Sequence, residues 1–157
     1  MLARLLLSVA IAAAPATDIV AVDDYIDAPR ALFGRSRTAV EGALGPPSAI
    51  EARVLPGNRP TTVDPVDQLT YRGVVIAVSR ASGGVRRVEI TEPHWALPGG
   101  LTVGTPRNRV EQHLGEPQAT SDASVLYLYS DGFPNTVEFS LHDGRVWRIE
   151  WLYAAGD

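Results

Sequence analysis

The 157-residue chain contains no cysteine. Disulfides, thiol nucleophiles, zinc–thiolate sites and a thioether lipid anchor are therefore excluded together. Lysine is absent as well: all 14 basic residues are arginine, which removes Schiff-base chemistry and the lysine of a phosphate-binding loop. Basic charge is scarce against 18 acidic residues, and a formal net charge of -4 offers little for counterion release from nucleic acid. Nucleic acid is not an expected partner. Signatures of catalysis are missing too. His94, His113 and His142 have no metal-ligand spacing, and no serine sits in a Gly-x-Ser-x-Gly elbow. Gly83-Gly84 and Gly99-Gly100 lack the helix signature that follows a phosphate-cradling loop. His142-Asp143 could orient an imidazole, but it reads more simply as a polar turn. The expectation is a protein that is not an enzyme, with no cofactor and no bound metal.

What is present begins with one short apolar run. Arg4 is followed by Leu5 to Ala14, and Ala14-Pro15-Ala16 places small residues where a signal peptidase inspects them. The run is short of the roughly 20 apolar residues a permanent span needs. Residues 1–16 are expected to be a cleaved signal, with Ala21 as an alternative end, and the mature protein to be periplasmic or secreted. Residues 17–31, with Asp18, Asp23, Asp24 and Asp27, read as a flexible leader. Hydrophobic residues at 45% and charged ones at 20% suit an ordinary globular protein, and the length suits one domain or two small units sharing a core.

The chain repeats itself. Residues 34–49 align without a gap on 104–119, with identities at Gly34/Gly104, Arg37/Arg107, Val40/Val110, Glu41/Glu111, Leu44/Leu114, Gly45/Gly115, Pro47/Pro117 and Ala49/Ala119. Val85-Arg86-Arg87-Val88-Glu89-Ile90 likewise parallels Val146-Trp147-Arg148-Ile149-Glu150-Trp151, and Tyr71 is matched to Tyr129. Each unit has a local logic. Thr105 is expected to cap a helix opened by Pro106, with Ser36 or Arg35 giving a weaker start in the first unit. Val110 and Leu114 form an apolar stripe, Gly115 and Gly45 suit a left-handed C-terminal cap, and Pro117 and Pro47 prevent continuation. Arg37/Glu41 and Arg107/Glu111 stand at i and i+4 as helix pairs. Alternation then marks strands at 68–72, 74–79 and 85–92, and at 125–130, 135–141 and 145–153, with Asp143-Gly144 as a hairpin turn. Pro56, Gly57, Asn58, Pro60 and Pro65 mark 51–67 as a long loop.

The expected architecture is α+β: repeat 1 over 32–92, a linker over 93–101 and repeat 2 over 102–157. Each repeat would be a short helix, or helix pair, on an antiparallel sheet of about three strands. At Thr102-Val103-Gly104-Thr105-Pro106-Arg107, Val110 and Leu114-Gly115-Glu116-Pro117 the chain resembles the SmpA/OmlA (BamE-like) group of small envelope proteins. It is similar also to the β-lactamase-inhibitor-protein-like fold, in which two such units stand in tandem. That resemblance implies helices packed on an antiparallel sheet and a role in binding another protein, in envelope assembly or in enzyme inhibition. Without cysteine, membrane association would come only through a partner.

Alternation also assigns faces. Val137, Phe139 and Leu141 are expected inward, with Glu138 outward. Trp147, Ile149, Trp151 and Tyr153 are expected inward, leaving Arg148 and Glu150 outward and, by the repeat, Arg87 and Glu89. Leu126 and Leu128 are expected inward, so that Tyr127 and Tyr129 face out with Tyr71. Tyrosine and arginine are enriched at interface hot spots. The candidate protein-binding set is thus Tyr71, Tyr127, Tyr129, Arg87, Glu89, Glu138, Arg148 and Glu150. An alternative reading is a small-ligand binder using the groove between the repeats, with His94, Trp95 and the long loop contributing.

Overall fold

The computed structural model describes residues 19–131 and 134–156; the expected signal, 1–16, lies outside the described residues. In chain order the elements are α1 (Val22–Phe33), α2 (Arg37–Leu44), β1 (Ala49–Pro56), β2 (Val63–Tyr71), β3 (Val74–Ser79) and β4 (Val85–Ile90). A 3-10 turn (Pro98–Gly100) leads to α3 (Arg107–Leu114), β5 (Ala119–Thr120), β6 (Ser124–Leu128), β7 (Thr136–His142) and β8 (Arg145–Leu152). The class is α+β, and the strands form one antiparallel sheet in the order β1-β2-β3-β4-β8-β7-β6-β5. This corrects the expectation of about three strands per unit, since four follow α2 and four follow α3. The last strands of the two sets pair with each other, Val88 to Trp151, Glu89 to Glu150 and Ile90 to Ile149. Neither strand is left as an open edge in the middle of the protein.

The helix motifs fold as their spacing predicts, with one exchange at the caps. Gly45 (φ 79) and Gly115 (φ 82) end α2 and α3 in the left-handed region, donating to the carbonyls of Glu41 (2.8 Å) and Glu111 (2.9 Å). Arg37–Glu41 and Arg107–Glu111 both close at 2.9 Å. Ser36, the weaker expectation, caps α2 by accepting from the Ala39 amide at 3.3 Å. Thr105 does not cap α3. Its Oγ1 accepts from the Thr102 amide at 3.0 Å, while Pro106 bridges to Arg145 ahead of the first helical residue.

The acidic segment expected to be a loose leader contains most of α1. Asp23 and Asp24 lie in the first turn, where carboxylates favour a helix, while Tyr25, Ile26, Pro29, Arg30 and Phe33 are buried. Tyr25 packs at 5.4 Å from Phe139 and 5.7 Å from Trp151, and its hydroxyl donates to the Leu101 carbonyl at 2.6 Å. Pro29 has no N–H for the Tyr25 carbonyl four residues earlier. The Trp151 indole Nε1–H supplies the donor instead, at 3.2 Å, and the Tyr153 hydroxyl donates to the Ile26 carbonyl at 2.7 Å. Arg30 lies 3.9 Å above the Tyr153 ring. The second strand set thus reads the backbone of α1 as well as its apolar face.

The region expected to be a long loop is mostly the β1–β2 hairpin, paired from Ala49/Thr70 to Pro56/Val63. Pro65 misled that expectation. The Arg80 amide bonds its carbonyl at 2.9 Å just beyond the end of β3, so the missing proline N–H forfeits only a terminal rung.

Candidate functional site

All helices lie against one face of the sheet, and the core cluster joins Val40 of α2, Val110 of α3 and Tyr25 of α1 to Leu69, Ile76, Val88, Val137 and Ile149. Two of the three tyrosines assigned to a binding face lie on this covered side, and Tyr129 packs against the same core. Tyr127 is fully buried; its hydroxyl donates to the Gly115 carbonyl at 2.9 Å, and burial pushes its pKa up to about 12. Tyr71 does the same to the Gly45 carbonyl at 3.1 Å. Its counterpart is therefore Tyr127 and not Tyr129, as the pairings Ala49/Thr70 and Ala119/Leu126 also require. Tyr129 donates to Asp27 of α1 at 3.3 Å, and that carboxylate raises its pKa. The faces of β6 were inverted because Val125-Leu126-Tyr127-Leu128-Tyr129 carries apolar bulk on both sides, and only tyrosine can both fill the core and bond a helix-terminal carbonyl. These three residues are corrected from the binding set.

The five charged residues of that set do share the helix-free face. Register places Glu89 opposite Glu150 and Glu150 opposite Glu138, a row of three carboxylates across β4, β8 and β7. Arg87 flanks the row on one side and donates to Gln68 Oε1 at 2.7 Å. Arg148 flanks it on the other, at 3.7 Å from Glu89 Oε2 and 3.2 Å from Ser140 Oγ. Like charges directly opposite in a sheet are unfavourable. Burial is the main cause that raises the Glu150 pKa; Arg87 and Arg148 oppose it, and Glu89 and Glu138 reinforce it. Arg87 Nε and Arg148 Nε are buried without an acceptor among the described residues. The belt is crowded, half-buried and incompletely paired.

One further residue joins it, and alternation alone placed that residue in the core. Ser140 pairs with Arg148 but Leu141 pairs with Val146, so β8 carries an extra residue at a bulge, Trp147. The bulge lets Val146 and Ile149 both face the core, while Trp147 is 48% exposed with the Arg148 guanidinium 5.1 Å from its ring. An equivalent shift between Ala77 and Val78 makes Arg86 the extra residue of β4. The Gly-x-Val-x-x-Ile spacing leading into β8, with two residues between the core positions Val146 and Ile149 where strict alternation has one, was the available signal.

Arg86 does something different. It is buried with Asp64 as a direct ion pair, and it also donates to the carbonyls of Tyr153 (2.9 Å) and Pro56 (3.1 Å), while Ser79 Oγ donates to Asp64 at 2.9 Å. Every polar end is used, which reads as structural. An open hollow of about 460 Å³ beside it is lined by Asn58, Arg59, Asp64, Ser79 and Ala155. His94 and Trp95 pack on each other at 4.4 Å, with Trp95 edge-on to Phe33 of α1 at 4.9 Å. His142 faces Asp143 at 3.4 Å in an exposed turn. Among the described residues no group of three or more His, Asp or Glu side chains could hold a metal ion.

No family model matches the chain, and no curated protein does. Solved structures with a similar course of chain include an extracellular protein containing an SCP domain from Bacillus anthracis (11% identity, TM-score 0.44, 94% of this chain and 50% of that one). They include the uncharacterized protein yfeY from Escherichia coli (14%, TM-score 0.44, 74% and 87%) and a cysteine-rich secretory protein from Staphylococcus aureus (12%, TM-score 0.43, 86% and 50%). The chain spans half the length of the Bacillus and Staphylococcus proteins. Among the described residues no helix is long and apolar enough to cross a membrane.

Proposed function

We propose that this is an exported, non-catalytic protein-binding module of a bacterial cell envelope, working in the periplasm or secreted, and gripping its partner with the helix-free sheet face. The observation that carries the reading is Trp147, exposed beside Arg148 on β8, on the side of the Glu89–Glu150–Glu138 row that Arg148 flanks. Tryptophan and arginine are among the side chains most enriched at interface hot spots, and an incompletely paired carboxylate row offers complementary seats for a partner's basic groups. The partner's role would be either envelope assembly or an enzyme held inhibited. No cofactor takes part, and contact with a membrane comes only through the partner.

The wider frame is a tandem duplication of the SmpA/OmlA or β-lactamase-inhibitor-protein-like kind, one unit ending in β4 and the other in β8. Recurrent details support it. Each unit has an Arg–Glu helix pair at 2.9 Å, a tyrosine bonded to the helix-terminal glycine carbonyl, and a bulge at the same step of its last strand.

The test is an in-cell crosslinking pull-down with wild-type bait and a Trp147→Ala/Arg148→Ala bait. One protein enriched by the wild type and lost from the double variant is expected, with Asn108→Ala, on α3, retaining it. Equal recovery by the two baits refutes the assigned face.

A further inference from the structure

The two edges of the sheet are unequal. β5 at one end is two residues long, whereas β1 at the other is eight, and every residue of β1 except Leu55 is exposed. An uncharged-backbone edge of this length is an invitation to further strand pairing unless a bulge, an inward charge or a covering element blocks it. The β1–β2 register runs without a break. Its apolar side chains are not shielded either. Ile50 is 50% exposed, Val54 62% and Val63 of the adjoining strand 68%.

The alignment of β1's backbone groups follows from its hairpin. The Gly57 amide donates to the Thr62 carbonyl at 2.9 Å, so Gly57 and Thr62 form a hydrogen-bonded pair. Counting back by twos, 55, 53, 51 and 49 turn their N–H and C=O groups to β2, and Ile50, Ala52 and Val54 turn theirs to the free edge. The contact of Arg53 Nη1 with the Ala52 carbonyl at 3.5 Å is consistent with that carbonyl lying open.

The sequence around Ala52 is complementary to itself when reversed. Turning a second β1 antiparallel about Ala52 sets Ile50 opposite Val54 of the second copy and Val54 opposite its Ile50. Glu51 then meets its Arg53, and Arg53 its Glu51. The pairs Ile50/Val54, Ala52/Ala52 and Val54/Ile50 are the hydrogen-bonded ones, each exchanging both N–H···O bonds. Glu51/Arg53 fall at the closer, non-hydrogen-bonded positions, where an opposite-charge pair counts most. Within one copy Glu51 and Arg53 already bond each other in the open, on the helix-free face.

We propose that the occupant of this edge is a second copy of the chain: two molecules join β1 to β1 about a two-fold axis at Ala52, making one continuous sheet. A two-fold axis requires self-complementarity of this kind. Ile50 and Val54 of both copies, with Val63 behind them, would bury the apolar strip on the helix side. The two helix-free faces would then run on as one surface.

Light scattering on the purified full chain over a concentration series tests it. Wild type is expected to reach twice its monomer mass at micromolar to sub-millimolar concentration. Glu51→Arg alone and Arg53→Glu alone place like charges opposite each other at both symmetric positions. Each is expected to weaken the dimer at least about tenfold, equal to about 1.4 kcal/mol. Both side chains are about half exposed, at 49% and 55%, and an unchanged far-UV circular dichroism spectrum verifies folding. Mixing the two single variants restores opposite pairs, so a heterodimer should appear where neither variant dimerises alone. A monomeric wild type, a dimer indifferent to Glu51→Arg, or a mixture that stays monomeric would each overturn the proposal.

Discussion

Replacing Trp151 by phenylalanine tests the account of how α1 is held. Trp151 is fully buried, stacks on Tyr25, and gives its indole N–H to the Tyr25 carbonyl that Pro29 leaves without a helical donor. The substitution removes that donor from a buried acceptor, a loss of about 1–3 kcal/mol. It also shrinks the ring system, leaving a void that contributes roughly 1 kcal/mol more. The sum is about 2–4 kcal/mol, read as a shift in urea midpoint by far-UV circular dichroism at constant m. The decisive variant is Pro29→Ala, which restores an amide four residues after Tyr25. In that background Trp151→Phe should lose only the packing component, roughly 1 kcal/mol, giving a coupling of about 1–3 kcal/mol in the double-mutant cycle. An equal cost of Trp151→Phe in both backgrounds would refute the argument that the indole N–H stands in for the proline's missing one.

Other outcomes follow from the same contacts. Arg86→Met strands the buried Asp64 carboxylate with Ser79 as its remaining donor and should cost about 3–5 kcal/mol in urea unfolding, whereas Arg37→Ala on exposed α2 should cost under about 1 kcal/mol. Asn58 holds Ala155 through both its amide groups, accepting at 2.7 Å and donating at 2.8 Å, so Asn58→Ala should speed hydrogen exchange at the Ala155 amide while amides of β8 keep their protection. Glu150 has its folded pKa raised, chiefly by burial. The folded state therefore binds the extra proton, and wild-type stability falls as pH rises from the ordinary carboxylate pKa through the raised one. Glu150→Gln should flatten that fall and exceed wild type by about 0.5 kcal/mol at neutral pH, as measured by unfolding across pH 4–8; a parallel pH profile for the two proteins would contradict it.

Local signals in the sequence were legible wherever one residue has one physical use. Gly45 and Gly115 end helices because both need a positive φ, Asp143-Gly144 turns the last hairpin with both residues at positive φ, and the Arg–Glu pairs close at one helical turn. Charged residues flanked by apolar ones gave the right face for Arg87, Glu89, Glu138, Arg148 and Glu150. Residues with two uses were misread. Tyrosine suits a surface or a core with a carbonyl to bond, and Tyr127 takes the second. Trp147 followed the period of two until a bulge changed the count. Asp18, Asp23, Asp24 and Asp27 suggested a loose segment because the residues that bury the apolar face of α1 and satisfy its Tyr25 carbonyl, Trp151 among them, are distant in sequence. Nothing local could have joined β4 to β8, since that pairing is decided by two edges meeting in the folded chain.

The central claim is that the helix-free face, around Trp147 and the glutamate row, meets another protein. The most direct measurement is a photo-reactive amino acid placed at Leu128 or Leu152, apolar positions on that face with more than a third of their surface exposed, and at Asn108 on the helix side as control. Illumination in cells should give the same discrete adduct from Leu128 and Leu152, none from Asn108, and loss of the adduct when Trp147→Ala is added. Adducts from Asn108 alone, or from the sheet positions regardless of Trp147, would contradict the assignment.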